Sequence, residues 1–158
     1  MTSEETSKAL IAKSESFWDR GMEAHQGSGA LGGQQLDAAA NRLYYAVFLS
    51  ICAYAHKFRG MVVDFANPDA HVIAKELLQT YAHEDKRFSP FVIPYGKLKD
   101  ARKIGDYDDV HVTGNQLDAD SIIKPVNSLR RKFIDAVAQA TDPYQNIEFD
   151  IQKLFPSC

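Results

Sequence analysis

The stretch Lys99-Asp100-Ala101-Arg102-Lys103-Ile104-Gly105-Asp106-Tyr107-Asp108-Asp109-Val110-His111 brings an Arg, a Tyr, several carboxylates and a His into about a dozen residues. A guanidinium binds phosphate through two parallel N–H donors. A phenol can stack on a base or donate to a phosphate oxygen. An imidazole moves protons near neutral pH. Together these groups could recognise or cleave a phosphodiester without a metal. The same spacing has a plainer structural reading. Arg102 and Asp106 stand four apart, the distance of a common helical surface ion pair, and Asp108 and Asp109 would simply open a polar loop.

Two further clusters carry polar groups. Asn41, Arg42 and Tyr45 sit in an otherwise apolar helix, where buried polar groups need partners. They would either line the same cleft as Arg102 or leave Arg42 paired to a carboxylate at the helix edge. Arg130-Arg131-Lys132 reads as a solvated basic face. The histidines, His25, His56, His71, His83 and His111, are scattered and show no metal-ligand spacing. There is no Gly-rich phosphate loop with Lys and no CxxC. Neither a metal nor a cofactor is expected.

The elements that must position these groups are helices. Leu10, Ile11, Phe17, Trp18 and Met22, completed by Ser14 and Gly21, recur at helical spacing over about Ser3 to His25. Gly27 to Gly33 reads as a flexible helix–helix loop. A second helix runs from about Gln34 to Lys57. Its middle, Leu43 to Leu49, is apolar or aromatic on every side, so both faces need cover. A symmetric partner chain would supply the second cover, which predicts a homodimer formed through Tyr44 to Phe48; the alternative is a central helix in a monomer. Asn67 as cap and Pro68 at the first turn start a third helix, with Ala70, Ile73, Ala74, Leu77, Leu78 and Tyr81 as its stripe. Pro90 and Pro94 mark an irregular loop from Ala82 to Tyr95. A short helix over Gly96 to about Gly105 presents Lys97, Lys99, Arg102 and Lys103, with Leu98 and Ala101 inward. Thr113 and Gln116 make a capping box for the last helix. Pro125 imposes a kink or a later start there, and Ile122, Val126, Leu129, Phe133 and Val137 form its core stripe. The tail, residues 143–158, docks as a short extended piece or one helical turn. The expected core includes Phe17, Trp18, Val47, Ile51, Leu77, Leu129 and Phe133.

The whole is one all-α domain over residues 1–158, an antiparallel up-and-down bundle of four to five helices. Its 158 residues, 45% hydrophobic and 25% charged, suit one full core. A net charge of -3 and a pI near 5.9 argue against strong non-specific nucleic-acid binding, yet allow a small basic site. Cys52 lies in an apolar run and Cys158 is the last residue, so no disulfide framework is expected and a reducing cytoplasm is the expected compartment. Met1 to Glu5 is polar and acidic, unlike a secretory signal. Leu43 to Ala55, broken only by Ser50, is too short for a membrane span.

The segment Ala40-Asn41-Arg42-Leu43-Tyr44-Tyr45-Ala46-Val47-Phe48 resembles the early-helix signature of prokaryotic HEPN proteins. Arg102-Lys103-Ile104-Gly105-Asp106-Tyr107-Asp108 resembles the Arg, three residues, Asp-Tyr motif of the same subfamily. The motifs stand in the expected order with a helix between them, and the resemblance spans about Gln34 to Ala138. It implies a four-to-five-helix bundle that usually dimerises. Many members belong to toxin–antitoxin or defence systems, often beside a small nucleotidyltransferase. The active toxins are metal-independent endoribonucleases whose motif is Arg, four to six residues, then His, two copies meeting across the dimer. This chain departs from that motif. Eight residues separate Arg102 from His111, and Asp106 and Tyr107 stand where a His would, placing a carboxylate that would repel the scissile phosphate.

The resemblance therefore implies a HEPN-type component of a toxin–antitoxin or defence module. It would bind nucleotide, RNA or a partner protein in a dimer cleft. Arg102 would be the phosphate ligand and Tyr107 a stacking or hydrogen-bonding group, open to modification by a nucleotidyltransferase-type partner. Asp106 would orient Arg102, with Asn41, Arg42 and Tyr45 supporting it. One alternative is a working endoribonuclease, with Arg102 on the phosphate and His111 as acid or base. The other is a non-catalytic structural adaptor.

Overall fold

The computed structural model describes residues 2–31, 33–62, 68–107 and 109–155, for residues 28–31 and 33–34 the backbone alone. The expectations for Asn67, Asp108 and Cys158 lie outside the described residues. The described chain is all-helical. Six α-helices are present: α1 (Ser3–Leu31), α2 (Gly33–Arg59), α3 (Asp69–Glu84), α4 (Ser89–Gly105), α5 (Lys124–Gln139) and α6 (Ile151–Leu154). Among the described residues no helix is long and apolar enough to cross a membrane.

α1 and α2 form an antiparallel hairpin. Ser14, fully buried, donates to the carbonyl of Ala46 at 2.6 Å, and Gly21 meets Leu43 so closely that a Cβ would stand 2.7 Å from its side chain. Small residues on the α1 stripe thus let the two backbones approach. The loop expected at Gly27 to Gly33 is largely helix: α1 continues to Leu31 and α2 starts at Gly33. The long hairpin contact outweighs the poor helix propensity of Gly27 and Gly29.

α2 is the central helix, packed on α1, α3, α4 and α5. Leu43, Tyr44, Val47, Ile51, Cys52 and Tyr54 are completely enclosed. Its apolar faces are thus largely covered inside one chain, with Tyr45 half-buried at the edge of the core. α3 lies parallel to α2 in constant register. The Tyr44 hydroxyl meets His71, and ten residues further along each helix the Tyr54 hydroxyl meets that of Tyr81. The strict alternation of an up-and-down bundle is broken at this connection. α4 then runs antiparallel to both.

The irregular loop expected from Ala82 to Tyr95 is one turn of 3-10 helix, Lys86–Phe88, followed directly by α4, which contains both Pro90 and Pro94. Pro90 sits in the first turn, where no N–H is needed. Pro94 gives up one helical bond at a cost of about 3 kcal/mol. Burial of Phe91, Tyr95, Leu98 and Ala101 on one stripe holds the helix through it. The capping box of Thr113 and Gln116 is present but heads a short 3-10 turn, Gly114–Leu117. A π-helical turn, Ala119–Ile123, follows, and α5 begins with Pro125 in its first turn. Ile122, Val126, Leu129, Phe133 and Val137 are all buried, as are Trp18, Val47, Ile51 and Leu77; Phe17 is half-buried at the edge of the core.

Arg130 does not belong to a solvated face. It is 1% exposed, donates to Glu15 at 2.7 Å and to Asn127, and lies 4.8 Å over the ring of Trp18. Burying a guanidinium is tolerable only with such partners. Arg131 next to it is exposed and reaches the same carboxylate. The tail turns back over the core through buried Tyr144 and Ile147 and ends in the single turn α6. Asp142 there accepts from the buried Tyr54 hydroxyl at 2.7 Å.

Candidate functional site

The last turns of α4 face one stripe of α2. Asp37, Asn41, Tyr44, Tyr45 and Phe48 recur three or four apart, so they share a helical face. Gly105 allows the closest approach: a Cβ there would lie 3.3 Å from Asp37. One turn earlier on α4, Arg102 lies over this stripe. Its guanidinium carbon is 5.5 Å from the ring centre of Tyr44 and 5.3 Å from that of Tyr45, and Nη2 donates to the Tyr45 hydroxyl at 3.1 Å. Nε lies 3.6 Å from Asp106 Oδ2, an ionic contact too long for a hydrogen bond, and is otherwise buried without a partner. Asp106 is half-exposed and so screened by water. Arg102 is therefore held by aromatic rings and one phenol, and its charge is only loosely compensated.

A residue that sequence reasoning missed stands beside it. His71, on α3, stacks on Phe48 with ring centres 4.1 Å apart, and its Nδ1 shares a 2.8 Å hydrogen bond with the Tyr44 hydroxyl. Burial, then the positive fields of Arg102 and Lys99, hold His71 below its ordinary value, so it is neutral at pH 7. Burial pushes the Tyr44 phenol up to about 12. Tyr44 thus contacts both His71 and Arg102. The signal was in the chain: His71 and Lys75 are four apart and flank the apolar stripe of α3.

Of the expected site residues, the structure brings together Arg102, Tyr45 and, loosely, Asp106. Asn41 shares their helical face. Arg42 turns elsewhere, into a groove between α1 and α2 with Arg20 and Glu23. Tyr107 is 68% exposed beyond the end of α4. His111 is tied to Asp37 at 2.6 Å, and the same carboxylate accepts the Val112 N–H at 2.7 Å. That pair fixes the chain after α4 onto α2, and no contact joins His111 to Arg102. Among the described residues no group of three or more His, Cys, Asp or Glu is placed to hold a metal ion.

Beside this face, where α4 meets α3, a cavity of about 190 Å³ is lined by Lys75, Tyr95, Gly96, Lys99, Asp100 and Lys103, among others. Burial, followed by the fields of Lys103, Lys75 and Arg102, holds the Lys99 ammonium below its ordinary value. The arrangement gives α4 two cationic faces, one over aromatic rings and one over a cavity. Such a surface can bind oxyanions. No protein-family description, no curated protein and no solved structure matches this chain.

Proposed function

We propose that this protein is a HEPN-type component of a toxin–antitoxin or defence module, working in the cytoplasm, that binds a phosphate group of RNA or of a nucleotide at Arg102. The observation that carries the reading is the state of Arg102: the guanidinium rests on Tyr44 and Tyr45 and has only a screened carboxylate at 3.6 Å. A structural arginine of this chain, Arg130, looks different, with Nη1 on a carboxylate and Nε and Nη2 on Asn127. In a homodimer two Arg102 groups facing one cleft would repel each other unless an anion lay between them, which would strengthen phosphate binding. A nucleotidyltransferase-type partner could reach the exposed Tyr107.

The test is a titration with a short oligoribonucleotide at two salt concentrations, on the parent, Arg102→Ala and Arg102→Lys. Binding lost in Arg102→Ala, and only partly recovered in Arg102→Lys, supports a two-pronged phosphate ligand. Unchanged binding in Arg102→Ala refutes the site.

A second reading, a metal-independent endoribonuclease, gains one observation. An imidazole, that of His71 rather than His111, shares a hydrogen bond with the Tyr44 hydroxyl, and Arg102 lies over the ring of that same Tyr44. The imidazole could take the proton of a ribose 2′-hydroxyl as that oxygen attacks phosphorus and the 5′-oxygen leaves. Metal-free cleavage that is lost in His71→Gln and kept in His111→Gln would select this reading.

A further inference from the structure

We propose that the cavity between α3 and α4 is a second oxyanion site, built to take a phosphate or diphosphate group. It rests on the Arg102 reading only for the identity of the larger ligand, since the oxyanion itself needs only the cavity.

Three lysines line the cavity from two helices, Lys75 from α3 and Lys99 and Lys103 from successive turns of α4. Among the described residues none of the three is in an ion pair. Among the described lysines elsewhere, Lys8, Lys124 and Lys153 are each paired with a carboxylate, while Lys13, Lys57, Lys86, Lys97 and Lys132 stand apart from one another rather than gathered at one cavity. The chain as a whole is acidic, with a net charge of -3. Carboxylates were thus available, and this patch gathers three cations against the single carboxylate of Asp100, which is exposed. Like charges held together without a counter-ion raise the energy of the empty site, and a bound anion relieves it.

The space fits the charge. A cavity of about 190 Å³ holds roughly six waters at about 30 Å³ each, room for a phosphate or a diphosphate. Gly96 lines it beside open space: a Cβ built there meets nothing within 4 Å. Tyr95, 3% exposed, forms an aromatic part of the wall. Lys99 and Arg102 are three residues apart on α4, so their Cβ atoms lie about 5–6 Å apart. His71 and Lys75 are four apart on α3. The cavity therefore adjoins the Arg102 face, and a ligand with two phosphoryl groups could touch both.

The experiment is calorimetric titration with inorganic pyrophosphate, followed by a nucleoside diphosphate and a short oligoribonucleotide as separate arms. Two variants probe the cavity. Lys99→Gln removes one charge, and Gly96→Leu fills the space while leaving all three lysines. The second also improves helix propensity, so folding is not at risk. Pyrophosphate binding weakened at least tenfold in both variants is the expected result. Affinity within twofold of the parent in Gly96→Leu overturns the proposal, because the anion would then sit on a diffuse basic surface. Arg102→Ala separates the two readings. Pyrophosphate binding that survives Arg102→Ala but not Gly96→Leu supports the cavity. Pyrophosphate binding lost in Arg102→Ala and kept in Gly96→Leu overturns it and places the anion on Arg102. If Gly96→Leu abolishes oligoribonucleotide binding and Arg102→Ala leaves it intact, the cavity stands and the proposed function fails. A nucleoside diphosphate binding tenfold more tightly than pyrophosphate identifies a mononucleotide as the source of the phosphate; the same preference for the oligomer identifies RNA.

Discussion

Arg102 Nη2 and the Tyr45 hydroxyl, 3.1 Å apart, join the last turn of α4 to the middle of α2. The bond is neutral on one side and half-buried, so its loss alone costs about 0.5–1.5 kcal/mol. Tyr45→Phe keeps the ring under the guanidinium and removes only this restraint. Oligoribonucleotide affinity should fall several-fold, less than in Arg102→Ala, and the urea midpoint should move slightly. Affinity equal to the parent would show that Tyr45 does not position Arg102.

His71 offers a direct reading of the local field. Burial is the main cause of its lowered value, and Arg102 is next. Arg102→Ala should therefore raise the His71 titration midpoint, still leaving it below the ordinary 6.5. An NMR titration of the imidazole Cε1–H measures this. The sign for stability follows from linkage. The folded state holds His71 less basic than the unfolded chain does, so His71 contributes its full stability above about 6.5. That contribution is lost as pH falls from there through the folded value. A His71→Gln variant should lack this part of the acid sensitivity.

Asp37 holds the segment after α4. One oxygen pairs with His111 at 2.6 Å and the other accepts the Val112 N–H at 2.7 Å. Asp37→Ala should cost about 1–3 kcal/mol, the range for leaving a partly buried group unpaired. Hydrogen exchange at the Val112 amide should accelerate by orders of magnitude, while oligoribonucleotide binding persists. Loss of binding with the fold intact would mean that His111 belongs to the site after all.

Glu15 is the anionic partner of the buried Arg130. Breaking a buried ion pair costs about 3–5 kcal/mol. Glu15 is 39% exposed and Asn127 keeps its two bonds, so Glu15→Ala should cost less, about 2–3 kcal/mol. Guanidinium denaturation measures it. A cost under about 0.5 kcal/mol would mean that Asn127 and the ring of Trp18 suffice for Arg130.

What the sequence made legible follows from periodicity. Ile122, Val126, Leu129, Phe133 and Val137 repeat at three and four, and all five are buried. The burial of α2 on every side could be read from Leu43 to Leu49, but its covering partners could not, because apolar side chains do not encode what they pack against. Pro94 and Gly27 misled for one reason: local propensity costs a few kcal/mol, and tertiary burial along a helix exceeds it. Arg130 misled because neighbouring positions on a helix point some 100° apart, so a basic run says nothing about the burial of each member. The proximity of Arg102 and Tyr45 was legible. His71 was hidden because its neighbourhood is set by the parallel register of α2 and α3, a relation between segments 27 residues apart.

The chain has one tryptophan, and a cation lies 4.8 Å from the centre of its ring. Trp18 belongs to α1 and Arg130 to α5, so tryptophan emission, excited beyond the absorption of the seven tyrosines, reports on this interhelical contact. Its emission changes when α1 and α5 separate. Far-ultraviolet circular dichroism weighs every helical residue. The two denaturation curves superimpose only if the chain unfolds in a single step. A fluorescence transition that leads the circular dichroism would expose an intermediate in which the hairpin of α1 and α2 has parted from α5 while helix content persists.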